Sequence, residues 1–154
     1  AQAVDKPVAA VPTLDALAYN IPYTDALVCP IMDARREQVY TSLYRKEGDR
    51  FNRIMPYSAI PVEQLVDELL SHHKPVVFVG DGIPAYQEIL TERMGESAQF
   101  APPYLAYQRA SVIAWLGRID ALEGKSIHYR ELQPFYLRQS QAEQKKNQQT
   151  GGNV

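Results

Sequence analysis

A chain of 154 residues is long enough for one domain with a substantial core, or for one small domain joined to a fragment of another. Its 16 Lys and Arg stand against 18 Asp and Glu, a net charge of -2, which excludes a basic nucleic-acid surface by composition and leaves RNA contact to a partner or to local clustering. The single cysteine, Cys29, excludes an internal disulfide; no run approaches the roughly 18 apolar residues of a membrane span and no signal-peptide pattern opens the chain, so a reducing, cytoplasmic setting is expected.

In chain order, Ala1 to Lys6 reads as the tail of a helix entering a short strand, Val8 to Val11. That is an odd way to begin a domain, and missing upstream sequence is one explanation. Thr13 is placed to cap a helix carrying Leu14, Leu17 and Ala18, with Asp15 in its first turn, where a negative charge is favourable. Two strands follow, Leu27 to Met32 and Gln38 to Tyr44, joined as a hairpin through Asp33, Ala34, Arg35, Arg36 and Glu37. The second alternates Val39, Thr41 and Leu43 with Tyr40, Ser42 and Tyr44, so each set faces one side of a sheet. Pro30 removes a ladder donor, which predicts an edge position or a bulge nearby.

A weaker strand pattern over Arg50 to Ile60 completes a predicted antiparallel meander. Pro61 suits the first position of a helix in which Val62, Leu65, Val66, Leu69 and Leu70 recur at helical spacing. Val76 to Val79 is a continuous apolar run, the pattern of a strand covered on both faces. Gly80-Asp81-Gly82 and a helix opened by Pro84 and stopped by Gly95 make a strand, turn, helix unit. Gln99 to Ala101 reads as a short strand, and Ala110 to Leu122 as a helix with Val112, Ile113, Leu116 and Ile119 on its apolar side and Gly124 at its end. Ile127 to Arg138 reads as extended. Residues 139–154 are polar and expected to be disordered, and Lys145-Lys146 within them could touch RNA or simply solubilise the chain. The fold class is therefore α/β, with a mixed sheet and flanking helices.

Candidate chemistry is sparse. Gly80-Asp81-Gly82 after a buried strand could let backbone amides approach a phosphate or ribose, or could be a plain tight turn, since neither GxGxxG nor a P-loop is present. Arg35 and Arg36 could hold an anion or a partner's carboxylate, or be solvated turn charges. His72 and His73 are adjacent and His128 is remote, without metal-ligand spacing, so no metal site is predicted. Cys29 has no recognisable catalytic partner. Among ten tyrosines, Tyr40, Tyr44, Tyr129 and Tyr136 could form a semi-polar interface, or half-buried strand faces.

Four segments, VPTLDALAYN at Val11 to Asn20, PIMDARREQVYTSLY at Pro30 to Tyr44, VGDG at Val79 to Gly82 and LQPFYLRQSQAE at Leu132 to Glu143, resemble the bacterial TsaB (YeaZ) family in order and character. The resemblance implies the second lobe of an actin-like ATPase fold, also described as sugar-kinase/heat-shock-protein-70-like or RNase H-like. Residues 1–24 would be the end of a first lobe and 25–138 the second, since the DTS-like and GPGSFTGLR-like motifs of the first lobe do not occur in the sequence. It also implies a non-catalytic subunit of the machinery that makes N6-threonylcarbamoyladenosine at position 37 of tRNA. The implied partners are a catalytic TsaD-like subunit and a TsaE-like ATPase, with tRNA met only through the complex; self-association is a further possibility, and no cofactor is implied. The alternative is a nucleotide-binding or hydrolytic enzyme of the glycoprotease (M22 peptidase homologue) branch. The ligand or interface candidates are Asp33, Arg35, Arg36, Gly80, Asp81, Gly82, Tyr136 and Arg138.

Overall fold

The computed structural model describes residues 1–137; Arg138 and the polar tail lie outside them. The predicted meander is present as β1 (Leu27–Asp33), β2 (Gln38–Glu47) and β3 (Arg50–Pro61), each antiparallel to the next. After α2 (Val62–Ser71) the chain crosses to β4 (Val76–Val79), parallel to β1, and after α3 (Ile83–Met94) to β5 (Ala98–Phe100), parallel to β4. The resulting five-stranded mixed sheet has the order β3-β2-β1-β4-β5.

The sheet separates two apolar clusters. On one side Leu27, Cys29, Ile31, Val39, Leu43, Val76 and Phe78 pack under α2 and α3, to which Val62, Leu65, Val66 and Leu69 contribute at the predicted helical spacing. On the other, Val28, Tyr44, Val77 and Val79 meet Leu14, Leu17 and Ala18 of α1 (Thr13–Ala18). Alternation along the strands therefore divides neighbouring residues between the clusters, and β4, buried at every position, serves both.

Several expectations need correction. Pro30 is neither at an edge nor beside a bulge: β1 is the central strand, and its pairing with β2 keeps one register from Val28↔Tyr44 to Asp33↔Val39. The Pro30 carbonyl takes the Thr41 hydroxyl at 2.9 Å. The irregularity lies one strand away, where the β2–β3 register shifts between Thr41 and Tyr44 opposite Pro56, and the buried Ser42 hydroxyl donates to the Met55 carbonyl at 2.7 Å. Val8 to Val11 is not a strand. Among the described residues only Val8 of this segment pairs, in a single antiparallel bridge with Ile127, and no strand runs beside it; the described residues after Ile127 form no strand either.

Helix boundaries shift by a residue: Pro61 ends β3 and precedes α2, α3 begins at Ile83 ahead of Pro84, and Thr13 opens α1 without making a side-chain cap. The larger difference concerns α4 (Ala110–Leu122), which buries none of its residues fully despite its apolar sequence. Gly117 brings it close to Ala9 and Val11, and Trp115 lies 5.5 Å from Tyr19, but Ile113, Trp115 and Leu122 are 40%, 43% and 71% exposed. The helix rests on six-residue α1 and an irregular segment, too narrow a bed to cover it. Among the described residues no helix is long and apolar enough to cross a membrane.

Candidate functional site

The carboxyl ends of β1 and β4 point the same way, and there the structure brings together candidates that lie far apart in sequence. Asp33 ends β1, and its carboxylate accepts the Arg35 amide at 2.8 Å and lies 3.1 Å from the Tyr86 hydroxyl of α3. The buried Ala34 donates its amide to the Gln38 carbonyl, Gln38 donates to Arg35, and the first amide of α2, from Val62, donates to Glu37. So anchored, Arg35, Arg36 and Glu37 adopt φ of +65°, +55° and +59°, three consecutive non-glycine residues in the left-handed region. That conformation costs about 1–2 kcal/mol per residue, so it persists only because the surrounding bonds hold it. Both arginines are exposed and, among the described residues, their guanidinium groups have no charged partner.

The Gly80-Asp81-Gly82 turn abuts this hairpin for a packing reason. Gly80 has φ +127°, and a Cβ there would stand 2.1 Å from the Ile31 carbonyl oxygen; one on Gly82 would stand 3.1 Å from it. The Gly82 amide donates to that same oxygen, the Ile83 and Ala85 amides bond back to Gly80 and Gly82, and Pro84 has none to give. The glycines thus let the chain pass over the end of β1, and the Gly82, Ile83 and Ala85 amides are already engaged. Asp81 is exposed at the turn's apex.

Tyr136 belongs to a different place. A groove of about 720 Å³ opens on the α1 side of the sheet, between residues 10–14 and residues 132–137, with Met32, Tyr40 and Tyr57 as its floor. Tyr40 is the cross-strand partner of Met32, so the groove begins one residue from the Asp33 turn. Tyr57 is fixed on three sides: its hydroxyl donates to Asp15 Oδ1 at 2.7 Å, the Arg53 guanidinium lies 3.9 Å from its ring centre, and Phe135 packs at 5.8 Å. Tyr44 donates to the same Asp15 oxygen at 2.5 Å. Burial first, and the bond to the Asp15 carboxylate second, push both phenols well above their usual range and keep them protonated.

Neither the role of Tyr57 nor the central position of Asp15 follows from the sequence, where Asp15 reads only as a helix-terminus charge; an acid within a six-residue helix near tyrosine-bearing strands was the available signal. Of the four tyrosines grouped earlier, Tyr40 and Tyr136 line the groove, Tyr44 is buried beneath it, and Tyr129 stacks on His128 at 4.3 Å away from it. Cys29 is fully buried against Thr41, and burial raises its thiol to about 12, which makes it a packing residue rather than a nucleophile. Among the described residues no cluster of three or more His, Cys, Asp or Glu is arranged to hold a metal.

Comparison with known proteins agrees with this architecture. The family model described as "TsaD: tRNA N6-adenosine threonylcarbamoyltransferase" matches residues 1–146. The chain is 30% identical over 145 residues to the tRNA threonylcarbamoyladenosine biosynthesis protein TsaB of Bacillus subtilis (strain 168), a match spanning 94% of this chain and 62% of that protein. Two solved structures from Pseudomonas aeruginosa share the fold. One, described as a protein with similarity to peptidase YEAZ, has a TM-score of 0.70 at 23% identity over 89% of this chain and 62% of its own. The other, YeaZ, has a TM-score of 0.67 at 21% identity over 88% and 62%. The chain therefore spans a little under two thirds of the relatives it matches, and its fold is the actin-like, RNase H-like α/β fold. It belongs to the tRNA N6-adenosine threonylcarbamoyltransferase (TsaD) family, within which it resembles the TsaB (YeaZ) proteins.

Proposed function

We propose that this chain corresponds to the second lobe of a TsaB-like protein, residues 25–138, preceded by the end of the first lobe, residues 1–24. In that reading it serves as a non-catalytic scaffold in the complex that makes N6-threonylcarbamoyladenosine at position 37 of tRNA. It supports a TsaD-like catalytic subunit, with a TsaE-like ATPase as a further member, and meets tRNA only through the assembly. Self-association belongs to the same reading. The observation that carries the reading is the likeness to the Bacillus protein along 94% of this chain.

The site chemistry is consistent with a scaffold. The thiol is buried with its pKa raised, the Asp15 carboxylate is held by two phenols, and the Gly82 amide of the turn is taken up by the Ile31 carbonyl. The second reading, a nucleotide-binding or hydrolytic enzyme of the glycoprotease branch, draws on one observation, the convergence of Asp33, Arg35 and Asp81 at the carboxyl ends of two parallel strands.

One assay separates them. The purified chain is tested alone for peptide hydrolysis, ATP hydrolysis and tRNA modification, and the full-length protein is added to TsaD-like and TsaE-like subunits with tRNA and the threonylcarbamoyl adenylate. The scaffold reading expects no activity from the chain alone and stimulation of modification by the full-length protein. Hydrolysis by the chain alone that is lost in Asp81→Ala favours the enzyme reading instead.

A further inference from the structure

The sheet has two edges, and they are finished differently. β5 is three residues long, whereas β3 runs for twelve with β2 on one side only. At the hairpin end of β3 the outer edge is closed: the Phe51 amide donates to the Tyr19 hydroxyl at 3.1 Å, and the Arg50 guanidinium is held by Glu123 at 2.6 Å. Beyond the register shift it is open. The Val62 amide donates to the Glu37 carbonyl, in step with the pairs Ile60↔Val39 and Ser58↔Thr41. Antiparallel ladders bond alternate residues, so Ser58 and Ile60 turn their backbone groups toward β2, and Tyr57, Ala59 and Pro61 turn theirs away from it. Pro61, which has no donor, suits an outward position. Among the described residues the outward amides and carbonyls of Tyr57 and Ala59 have no hydrogen-bond partner.

An open ladder narrows its ligand more than an apolar surface does, because donors and acceptors alternating along an extended backbone are matched by another extended backbone. Two neighbouring features define the side chains it would carry. The groove draws one floor residue from each of β1, β2 and β3, namely Met32, Tyr40 and Tyr57, so it crosses the strands and reaches this edge. Ala59, the cross-strand partner of Tyr40, lies on the same face. The exposed Arg53 guanidinium stands 3.9 Å from the Tyr57 ring centre, and among the described residues no carboxylate pairs with it. A strand laid beside Tyr57 and Ala59 therefore places one side chain at the apolar mouth of the groove, and the side chain two residues along beside an unpaired positive charge.

We propose that the outer edge of β3 accepts an extended segment of a partner protein along residues 57–61, one that carries an apolar or aromatic residue and an acidic residue two positions apart. The acidic group pairs with Arg53, and the apolar side chain covers the mouth of the groove beside Ala59. Pro56 and Pro61 bracket the open stretch and leave two complete donor–acceptor units, too few for backbone pairing alone to hold a partner, so the side chains set the choice. The proposal rests on the edge and not on the scaffold reading, and the failure of either leaves the other standing.

The test is an NMR titration of the purified chain with two end-blocked peptides, Thr-Glu-Thr-Phe-Thr and Thr-Phe-Thr-Glu-Thr, which present the same pair to a strand running in either direction. Saturable shifts and slowed exchange of the Tyr57 and Ala59 amides, with one order binding better, support the proposal. N-methylation of the peptide's ladder amides is expected to weaken binding about 10-fold or more, whereas a contact through side chains alone would be unaffected. Glu to Gln in the peptide, or Arg53→Gln in the chain, is expected to weaken binding about 2-fold to 5-fold, and the two together no more than either alone. The proposal is overturned if neither peptide shifts these amides while the chain remains folded, if the N-methylated peptides bind as well, or if Arg53→Gln leaves the preference for Glu over Gln intact. It is equally overturned if the Tyr57 and Ala59 amides are already protected by pairing between two copies of the chain, which a dependence on protein concentration would reveal.

Discussion

The two faces of the sheet are built to different standards of closure. Under α2 and α3 the side chains interlock until Leu65, Leu69, Phe78 and Leu90 have no exposure. On the opposite face the only helix sealed against the sheet, among the described residues, is the six-residue α1; α4 lies over α1 with its apolar side half open, and a tyrosine-lined groove separates the two chain segments that flank it. Local sequence does not explain the contrast, because α4 is the more apolar helix and α2 the more amphipathic one. One face is complete in itself, whereas the other leaves apolar side chains of α4 in water.

The sharpest way to break that distinction is to empty each face in turn. Phe78→Ala, on the closed side, is expected to cost about 3–5 kcal/mol in urea unfolding, the usual price of deleting a buried aromatic ring. Trp115→Ala, on the open side, is expected to cost less than about 1.5 kcal/mol, since the residue is already 43% exposed. Equal losses would mean that both faces are true core.

Gly80→Ala probes the junction where the sheet ends. A Cβ at 2.1 Å from the Ile31 oxygen, on a backbone with φ +127°, is expected to destabilise by about 3 kcal/mol, while Gly48→Ala, with open space around it, is expected to lose about 1–2 kcal/mol. Similar values at the two glycines would remove the close approach as the explanation.

Alkaline pH sharpens the comparison from within the sheet. Cys29 rises from 9.0 to about 12 on folding, and Tyr44 and Tyr57 are raised from 10.0, so in each case the folded state prefers the protonated group. Their stabilisation is complete below the unfolded values and is lost as pH climbs through the window above about 9, where the unfolded chain ionises first. Unfolding free energy is therefore expected to fall between pH 8.5 and 11, roughly, and Cys29→Ala is expected to flatten the early part of that decline.

The smallest effect belongs to the hairpin. Arg36→Gly replaces a side chain at φ +55° by the residue suited to it, and is expected to raise stability by about 0.5–1 kcal/mol in thermal unfolding. A loss instead would show that the Arg36 side chain contributes contacts that outweigh its backbone strain.

What could be read in advance followed from periodicity. The alternation of β2, the helical spacing of α2 and the unbroken Val76–Val79 run each encode their own burial, and the meander and the crossover to β4 follow from them. Pro30 misled because a missing donor is a local property, whereas the place of β1 in the sheet is set by its pairing with β2 on one side and β4 on the other. The exposure of α4 was hidden for a related reason: an apolar face states that a helix wants cover without stating that cover exists. At the candidate site, Asp33, Arg35 and the Gly80–Gly82 turn were visible as punctuation, and their convergence needed the parallel register of β1 and β4. The Asp15, Tyr44 and Tyr57 cluster joins three elements through side-chain hydroxyls, a relation no spacing rule carries.

Native-state hydrogen exchange, read residue by residue on the chain alone, tests the contrast between the faces most directly. Amides of β1, β4, α2 and α3 are expected to exchange only through global unfolding, and those of α4 through a local opening at least about 2 kcal/mol lower in free energy. Protection of α4 equal to that of α2 would contradict the account, because the open face would then be as complete as the closed one.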